Sequence, residues 1–152
     1  MTSSAPYAIC SADSIVFKVL GFLNRGEQGI SLEELFQRSD YISMHLPLTD
    51  ETHDLIDTPQ FEMMKDGVRL VNCARGGTIN ENALYDAIVS GKVAGAALDV
   101  YSKEPARDNK LFELDEVIGS PHIGAATVEA QHRVSVEVAE KVIGFQQRLG
   151  SK

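Results

Sequence analysis

Hydrophobic positions along the chain alternate between two kinds of spacing from residue 31 onward. Short apolar runs typical of buried strands are separated by segments whose apolar residues recur every three or four positions, as on one face of a helix. This pattern predicts strands at 41–46, 68–72, 93–100 and 117–120, and helices at 31–38, 58–66, 80–90 and 127–149. Strands that alternate with helices indicate an α/β fold in which parallel strands are joined by right-handed crossovers.

Local signals predict where the helices begin and end. A capping box, Ser-Leu-Glu-Glu at 31–34, begins the first helix, and Thr58 before Pro59 has the form of an N-cap followed by proline at the first helical position. Gly67 fits the residue after the C-cap of that second helix, and Asn80 fits the N-cap of the third. The last helix carries apolar residues at helical spacing, namely Val134, Val138, Val142, Phe145 and Leu149.

A further strand is predicted at Ile15–Phe22, and two arrangements are open for it. In one, it is the second strand of a doubly wound sheet of order 3-2-1-4-5-6, and the place of the first strand at the sheet centre is empty, because Tyr7–Cys10 is too close along the chain to fill that place in parallel. A hairpin or a strand from another copy would then be needed. In the other, Ile15–Phe22 is the central strand of a doubly wound, Rossmann-like sheet that has lost one strand–helix unit, with all strands parallel in the flavodoxin-like order 2-1-3-4-5. We prefer this five-stranded arrangement because it leaves no unpaired central edge.

Length, charge and cysteine content limit the class of protein. A chain of 152 residues is expected to form one domain, with its core in 15–149 and disorder in 1–14. The formal net charge of −8 argues against nucleic acid and anionic membranes as partners. No apolar run approaches the length of a transmembrane helix, and the first residues lack the features of a signal peptide. Cys10 and Cys73 do not have metal-ligand spacing, so we expect no metal site and a reduced, cytoplasmic location.

Three short segments place polar residues where predicted strands end. They are Val-Asn-Cys-Ala-Arg-Gly-Gly (71–77), Ala-Ala-Leu-Asp-Val-Tyr-Ser-Lys-Glu-Pro (96–105) and Ser-Pro-His-Ile-Gly-Ala (120–125). In open α/β sheets the carboxyl ends of the strands form the edge at which ligands bind. Each polar residue alone has an ordinary structural explanation. Together, an Arg, an Asp, a Glu and a His at consecutive strand ends predict a binding site.

These segments, together with His-Leu-Pro-Leu-Thr (45–49), Met-Lys-Asp-Gly (64–67) and Glu-Ala-Gln (129–131), resemble the D-2-hydroxyacid dehydrogenase family. The resemblance extends from about Ser31 to Val142 and is strongest to the D-3-phosphoglycerate dehydrogenase branch. It implies a Rossmann-like domain that binds NAD and an oxidoreductase of serine biosynthesis that acts on a small 2-hydroxy or 2-oxo acid. It also implies a homo-oligomer.

The resemblance implies roles for individual residues. Arg75 would bind the substrate carboxylate, since arginine offers a planar and permanently charged fork of donors. His122 would be the acid/base, paired with Glu104, because histidine can exchange a hydroxyl proton near neutral pH while hydride is transferred. Asp99 would face the nicotinamide end of the cofactor. The cofactor-binding residues would be Leu46, Pro47, Cys73, Ala74, Arg75, Asp99, His122, Gly124 and Ala125.

Two parts of the family pattern are missing from this sequence. There is no substrate domain and no G-x-G-x-x-G turn to hold the pyrophosphate, and the glycines at 21, 26 and 29 have the spacing of an ordinary turn. Leu23 occupies the place of the acidic residue that would bind the adenosine ribose. We therefore expect a fragment or shortened form of such a dehydrogenase that carries the catalytic residues but is inactive alone. The alternative is a non-catalytic folded remnant, chimera or engineered fragment that at most binds a ligand or self-associates.

Overall fold

The structure, a computed structural model, describes residues 8–9, 18–21, 30–124 and 126–149. The chain divides into two compact units, Met1–Pro121 and His122–Lys152. In chain order the described elements are β1 (Ala8–Ile9), β2 (Lys18–Gly21), α1 (Leu32–Arg38), β3 (Tyr41–His45), α2 (Thr58–Met63), β4 (Val68–Asn72), α3 (Glu81–Val89), β5 (Val93–Leu98), a 3₁₀ helix (Lys110–Glu113), β6 (Val117–Gly119) and α4 (Val128–Leu149).

The strands of the first unit form one sheet in the order β1-β2-β3-β4-β5-β6. Strands β3, β4, β5 and β6 run parallel to one another, and α2, α3 and the 3₁₀ helix lie in the connections between them. Burial alternates along β3 and β4, where Ile42, Met44, Val68 and Leu70 are buried. This parallel block with helical connections is the α/β arrangement that the sequence predicts.

The N-terminal strands differ from the predicted arrangement. β2 pairs with β3 antiparallel, with Gly21 opposite Ile42, and β1 pairs antiparallel with β2. The five-stranded parallel order 2-1-3-4-5, with Ile15–Phe22 at its centre, is therefore not confirmed, and the parallel part of the sheet has four strands. An alternation of polar and apolar positions is the same in both strand directions, so it predicts that a segment pairs but not in which direction. In the antiparallel pairing the end of β2 lies beside the start of β3, so the connection does not have to cross the sheet.

Some sequence predictions concern residues outside those that the structure describes. Disorder in 1–14 stays a prediction, because within that stretch the structure describes only Ala8–Ile9, which form β1. Leu23 and the glycines at 26 and 29 lie outside the described ranges, as does Ala125. The statements made about these residues stay predictions.

The helix ends follow the local sequence with two differences. Ser31 and Asn80 cap α1 and α3, as predicted. The N-cap of α2 is Asp57 rather than Thr58, because the Asp57 carboxylate accepts a hydrogen bond from the Thr58 N–H and so becomes the last residue before the helix. The helix also ends well before Gly67, whose φ of +80° places it in the turn that leads into β4.

The core of the first unit packs the helices against the sheet. Helix α2 contacts both α1 and α3, and α3 contacts β5. The largest side chains that are almost completely buried are Phe36, Leu35, Ile42, Met44, Ile56, Leu70, Leu84, Leu111, Val68, Val93 and Thr52. Close packing of this kind holds β3–β6 in one register. It thereby defines the edge formed by their carboxyl ends.

The second unit consists of α4 and the residues that precede it. The Thr127 hydroxyl accepts a hydrogen bond from the Ala130 N–H at 3.1 Å, which satisfies a donor in the first turn of the helix. The apolar side chains of Val134, Val138 and Val142 are 55%, 55% and 53% exposed. Within the described ranges, no helix is both long enough and apolar enough to cross a membrane.

Candidate functional site

The carboxyl ends of the four parallel strands form one continuous edge. Asn72 of β4 is paired with Met44 of β3 and with Leu98 of β5, and Leu98 is paired with Gly119 of β6. The residues that follow these strands therefore lie side by side along the edge. They include Leu46, Cys73, Asp99 and Ser120.

The loop after β4, residues 73–78, is organised by the buried side chain of Asn72. Its amide nitrogen donates hydrogen bonds to the Arg75 carbonyl and to the Thr78 hydroxyl, both at 3.1 Å. Its amide oxygen accepts from the Ala74 N–H at 3.1 Å, and the Thr78 hydroxyl donates to the Arg75 carbonyl at 2.9 Å. The Asn72 side chain thus supplies hydrogen-bond partners to backbone groups of the loop, which would otherwise be buried without partners.

The two glycines of this loop have different structural requirements. Gly77 has a φ of +78°, a conformation that favours glycine. At Gly76 a Cβ atom would lie 1.9 Å from the carbonyl oxygen of Tyr101 and 2.1 Å from its carbonyl carbon. Only glycine allows this approach. It packs the loop that carries Arg75 against the segment that carries Glu104.

The Arg75 side chain is exposed at this edge. Its Nη1 donates to the carbonyl of Ala74 at 2.6 Å. Among the described side chains it forms no ion pair with a carboxylate. An exposed guanidinium on an ordered loop, without an acidic partner, can receive a carboxylate from a ligand.

Glu104 lies in the exposed loop that follows β5. Its Oε1 accepts a hydrogen bond from the Tyr101 N–H at 3.2 Å. Tyr101 is itself held firmly, because its hydroxyl donates to the Leu98 carbonyl at 2.9 Å and its ring meets Phe112 edge to face, with centroids 5.3 Å apart. Burial raises the pKa of the Tyr101 phenol, so it keeps the proton that it donates.

Glu81, the first residue of α3, forms hydrogen bonds with both Ser102 and Asn109, which lie on either side of Glu104 in the loop after β5. Its Oε1 accepts from the Ser102 N–H at 2.6 Å and from the Ser102 hydroxyl at 2.8 Å. Its Oε2 accepts from the Asn109 amide at 2.6 Å. The sequence analysis does not identify this residue, since a glutamate in the first turn of a helix is ordinary.

Asp99 is a charged side chain that is only 4% exposed. Its backbone N–H donates to the Asn72 carbonyl at 2.9 Å, and its Oδ1 accepts from the Ser120 hydroxyl at 2.6 Å. Desolvation raises the pKa of the neighbouring Cys73 thiol, and the negative charge of Asp99 adds to that rise. The edge therefore holds a protonated thiol beside a buried carboxylate.

The remaining predicted cofactor residues of the first unit differ in exposure. The Leu46 side chain is buried in the core, so its backbone is the part that borders the edge. Pro47 is exposed, and its carbonyl accepts from the Thr52 hydroxyl at 2.7 Å. Ala74 is half-buried. A cavity of about 710 Å³ opens next to this edge, with Tyr101, Glu104, Phe112 and Ser120 among its lining residues.

His122 and Gly124 belong to the second unit and are exposed there. His122 has a φ of +55°, which is uncommon for a residue other than glycine and marks a strained backbone. Residues in such conformations cluster at functional sites, and Asp54, with a φ of +50°, is a further example that lies outside the predicted site. The structure thus brings the loops of Arg75, Glu104 and Asp99 together in the first unit, and it describes His122 separately in the second.

Within the described ranges, no group of three or more His, Cys, Asp or Glu side chains could hold a metal ion. Two residues that organise the edge, Asn72 and Ser120, are absent from the site predicted by sequence. Asn72 directly precedes Cys73 and Ser120 lies two residues before His122, and this position in the 71–77 and 120–125 segments is the signal that could have identified them.

The sequence matches a family model described as D-isomer specific 2-hydroxyacid dehydrogenase, NAD binding domain, over residues 17–124. The chain is 53% identical over 116 residues to hydroxypyruvate reductase from Thermotoga maritima, a match that covers 74% of this chain and 38% of that protein. It is 50% identical over 125 residues to D-3-phosphoglycerate dehydrogenase from Archaeoglobus fulgidus, covering 82% of this chain and 24% of that protein. The chain therefore spans well under half the length of these relatives.

The fold agrees with these matches. The crystal structure of D-lactate dehydrogenase from Aquifex aeolicus, complexed with NAD and lactic acid, superimposes with a TM-score of 0.67 at 37% identity, and the match covers 80% of this chain and 41% of that one. The Rossmann-like α/β class expected from the sequence is thereby confirmed. The chain belongs to the D-isomer specific 2-hydroxyacid dehydrogenase family and corresponds to the NAD-binding domain of its members.

Proposed function

We propose that this chain is the NAD-binding part of an oxidoreductase that interconverts the hydroxyl and carbonyl groups of a small 2-hydroxy acid. The substrate class is that of D-3-phosphoglycerate dehydrogenase, which would connect the protein to serine biosynthesis. The observation that carries the proposal is the exposed guanidinium of Arg75, which lies at the carboxyl-end edge of the sheet without a carboxylate partner among the described side chains.

In the proposed site, three residues act on the substrate. Arg75 binds its carboxylate through two parallel hydrogen bonds. His122 exchanges the proton of the reacting hydroxyl group, with Glu104 as the carboxylate proposed to pair with it. NAD, when bound, exchanges hydride with the carbon that bears this hydroxyl. The close packing of Gly76 on Tyr101 supports the proposal, because it holds the Arg75 and Glu104 loops against each other.

We propose that the nicotinamide group binds at the described edge. Asp99 offers a buried acceptor for a carboxamide N–H, and Ser120, its hydrogen-bond donor, lines the adjacent cavity together with the aromatic residues Tyr101 and Phe112. The residues proposed to bind NAD are Leu46, Pro47, Cys73, Ala74, Arg75, Asp99, His122, Gly124 and Ala125.

Calorimetric titration with NADH tests the proposal. Saturable binding is expected, weakened about tenfold by Arg75→Ala or His122→Ala through the loss of charge-assisted and polar contacts. Arg69→Ala is the matched control, since it removes the same charge from the other end of β4, where Arg69 stacks on Tyr41. A flat titration of the folded chain, or equal weakening by the control, would overturn the proposed site.

We also propose that the chain is a single NAD-binding domain that is incomplete by itself. Hydride transfer needs both reactants held in near-attack geometry, and this chain spans well under half the length of its relatives. The same NADH-bound samples are therefore expected not to reduce hydroxypyruvate. Oxidation of NADH at an enzymatic rate, measured as a loss of absorbance at 340 nm, would contradict this expectation. The cytoplasmic location stays a prediction from cysteine usage.

We propose that copies of this chain associate through the exposed apolar residues of α4. The exposed valines at 134, 138 and 142 lie at spacings of four residues, which places apolar surface along one side of the helix. Light scattering is expected to give a mass above the 16.6 kDa of one chain, and Val138→Glu should lower it. Glu140→Gln is the control on the same helix. A monomeric mass at micromolar concentration would contradict the proposal.

A further inference from the structure

Ser120 is placed beside Asp99 by the pairing of β5 and β6. Leu98 is opposite Gly119 at the end of this parallel pair, so the next residue of each strand lies at the same edge. The Ser120 N–H donates to the Leu98 carbonyl at 2.9 Å, which continues the strand pairing by one residue. The Ser120 hydroxyl is then within 2.6 Å of Asp99 Oδ1. Two independent hydrogen bonds therefore fix the serine.

This contact has a physical consequence for the carboxylate. Asp99 is 4% exposed, and a buried charge is costly unless hydrogen bonds compensate for lost water. A hydroxyl that donates to Oδ1 also restricts rotation about χ2, a torsion that is otherwise broad for aspartate. The direction in which Asp99 can accept a hydrogen bond from a ligand is therefore set in part by Ser120.

We propose that Ser120 is a positioning residue of the cofactor site and that it makes the site selective for a nicotinamide bearing a carboxamide group. The inference rests on the proposed function, in which Asp99 faces the nicotinamide. An ionised carboxylate can only accept hydrogen bonds, whereas the carboxamide NH₂ can only donate them. An Asp99 carboxylate that is held in one orientation therefore binds this donor more tightly than a carboxylate that rotates more freely.

Two titrants separate this role from a general effect on the fold. NADH carries the carboxamide, and reduced 3-acetylpyridine adenine dinucleotide has a methyl group in place of the NH₂. The wild-type chain is expected to bind NADH about tenfold more tightly than the analogue, which corresponds to one hydrogen bond to a charged group. Ser120→Ala is expected to reduce this preference to about twofold. Ser120→Thr, which keeps the hydroxyl, is expected to retain it.

The ratio of the two dissociation constants is the decisive quantity, because partial unfolding lowers the amount of active protein without changing the ratio. An unchanged ratio in Ser120→Ala would overturn the inference and leave the proposed function intact. Loss of the preference in both Ser120→Ala and Ser120→Thr would also overturn it, since the hydroxyl would then not be the cause. A wild-type chain that binds neither nucleotide would overturn the proposed function and the inference with it.

Discussion

Replacing Gly76 with alanine is expected to lower the free energy of unfolding by about 3 kcal/mol or more. The added Cβ would lie 1.9 Å from the carbonyl oxygen of Tyr101 and 2.1 Å from its carbonyl carbon, far inside van der Waals contact. Both atoms belong to the backbone, so no side-chain rotation can relieve the overlap. The Tyr101 backbone is anchored through its ring and hydroxyl, and either it or the 73–78 loop must move.

Urea denaturation followed by circular dichroism measures this effect. Gly95→Ala is the matched control, because its Cβ would lie 3.4 Å from the Glu116 carbonyl oxygen and its change in stability should stay within about 1 kcal/mol. Equal stability of the two variants would show that the approach of Gly76 to Tyr101 is looser than the structure indicates. A destabilised Gly76→Ala chain should also bind NADH more weakly, since the Arg75 loop would be displaced.

Replacing Asn72 with alanine is expected to lower the free energy of unfolding by about 3 kcal/mol. The side chain is 3% exposed and serves three partners, the Ala74 N–H, the Arg75 carbonyl and the Thr78 hydroxyl. Alanine leaves the Ala74 N–H without its side-chain acceptor and removes two of the bonds that shape the loop. The cost is that of desolvated polar groups left without partners, more than that of the hydrogen bonds alone.

Asn82→Ala provides the comparison for Asn72→Ala. Asn82 is exposed near the start of α3, where alanine has the higher helix propensity, so stability should be unchanged or slightly raised. A loss below about 1 kcal/mol for Asn72→Ala would mean that water or a rearranged loop replaces the amide. In that case the order of the Arg75 loop would have to come from Gly76, Gly77 and the hydrogen bond from the Thr78 hydroxyl to the Arg75 carbonyl.

Much of the candidate site could be predicted from the sequence because its residues directly follow strands. Arg75 and Asp99 come after runs whose burial is evident from composition, and the carboxyl ends of parallel strands must share one edge. Asn72 and Ser120 were not predicted as site residues, since an Asn and a Ser at strand ends have many possible partners. Their roles depend on strand register, which places Asn72 beside Leu98 and Ser120 beside Asp99.

The family, the parallel order of elements from β3 to β6 and the caps at Ser31 and Asn80 follow from the amino-acid sequence, which also leads to a proposal for the residues that carry the chemistry. These properties depend on local spacing and on side-chain type, both of which can be seen in a linear chain. The folded chain was needed to show the antiparallel direction of β2, the contact of Gly76 with Tyr101 and the hydrogen bond from Ser120 to Asp99. These three depend on which distant backbones come to lie next to each other, and polar–apolar alternation is compatible with more than one such pairing.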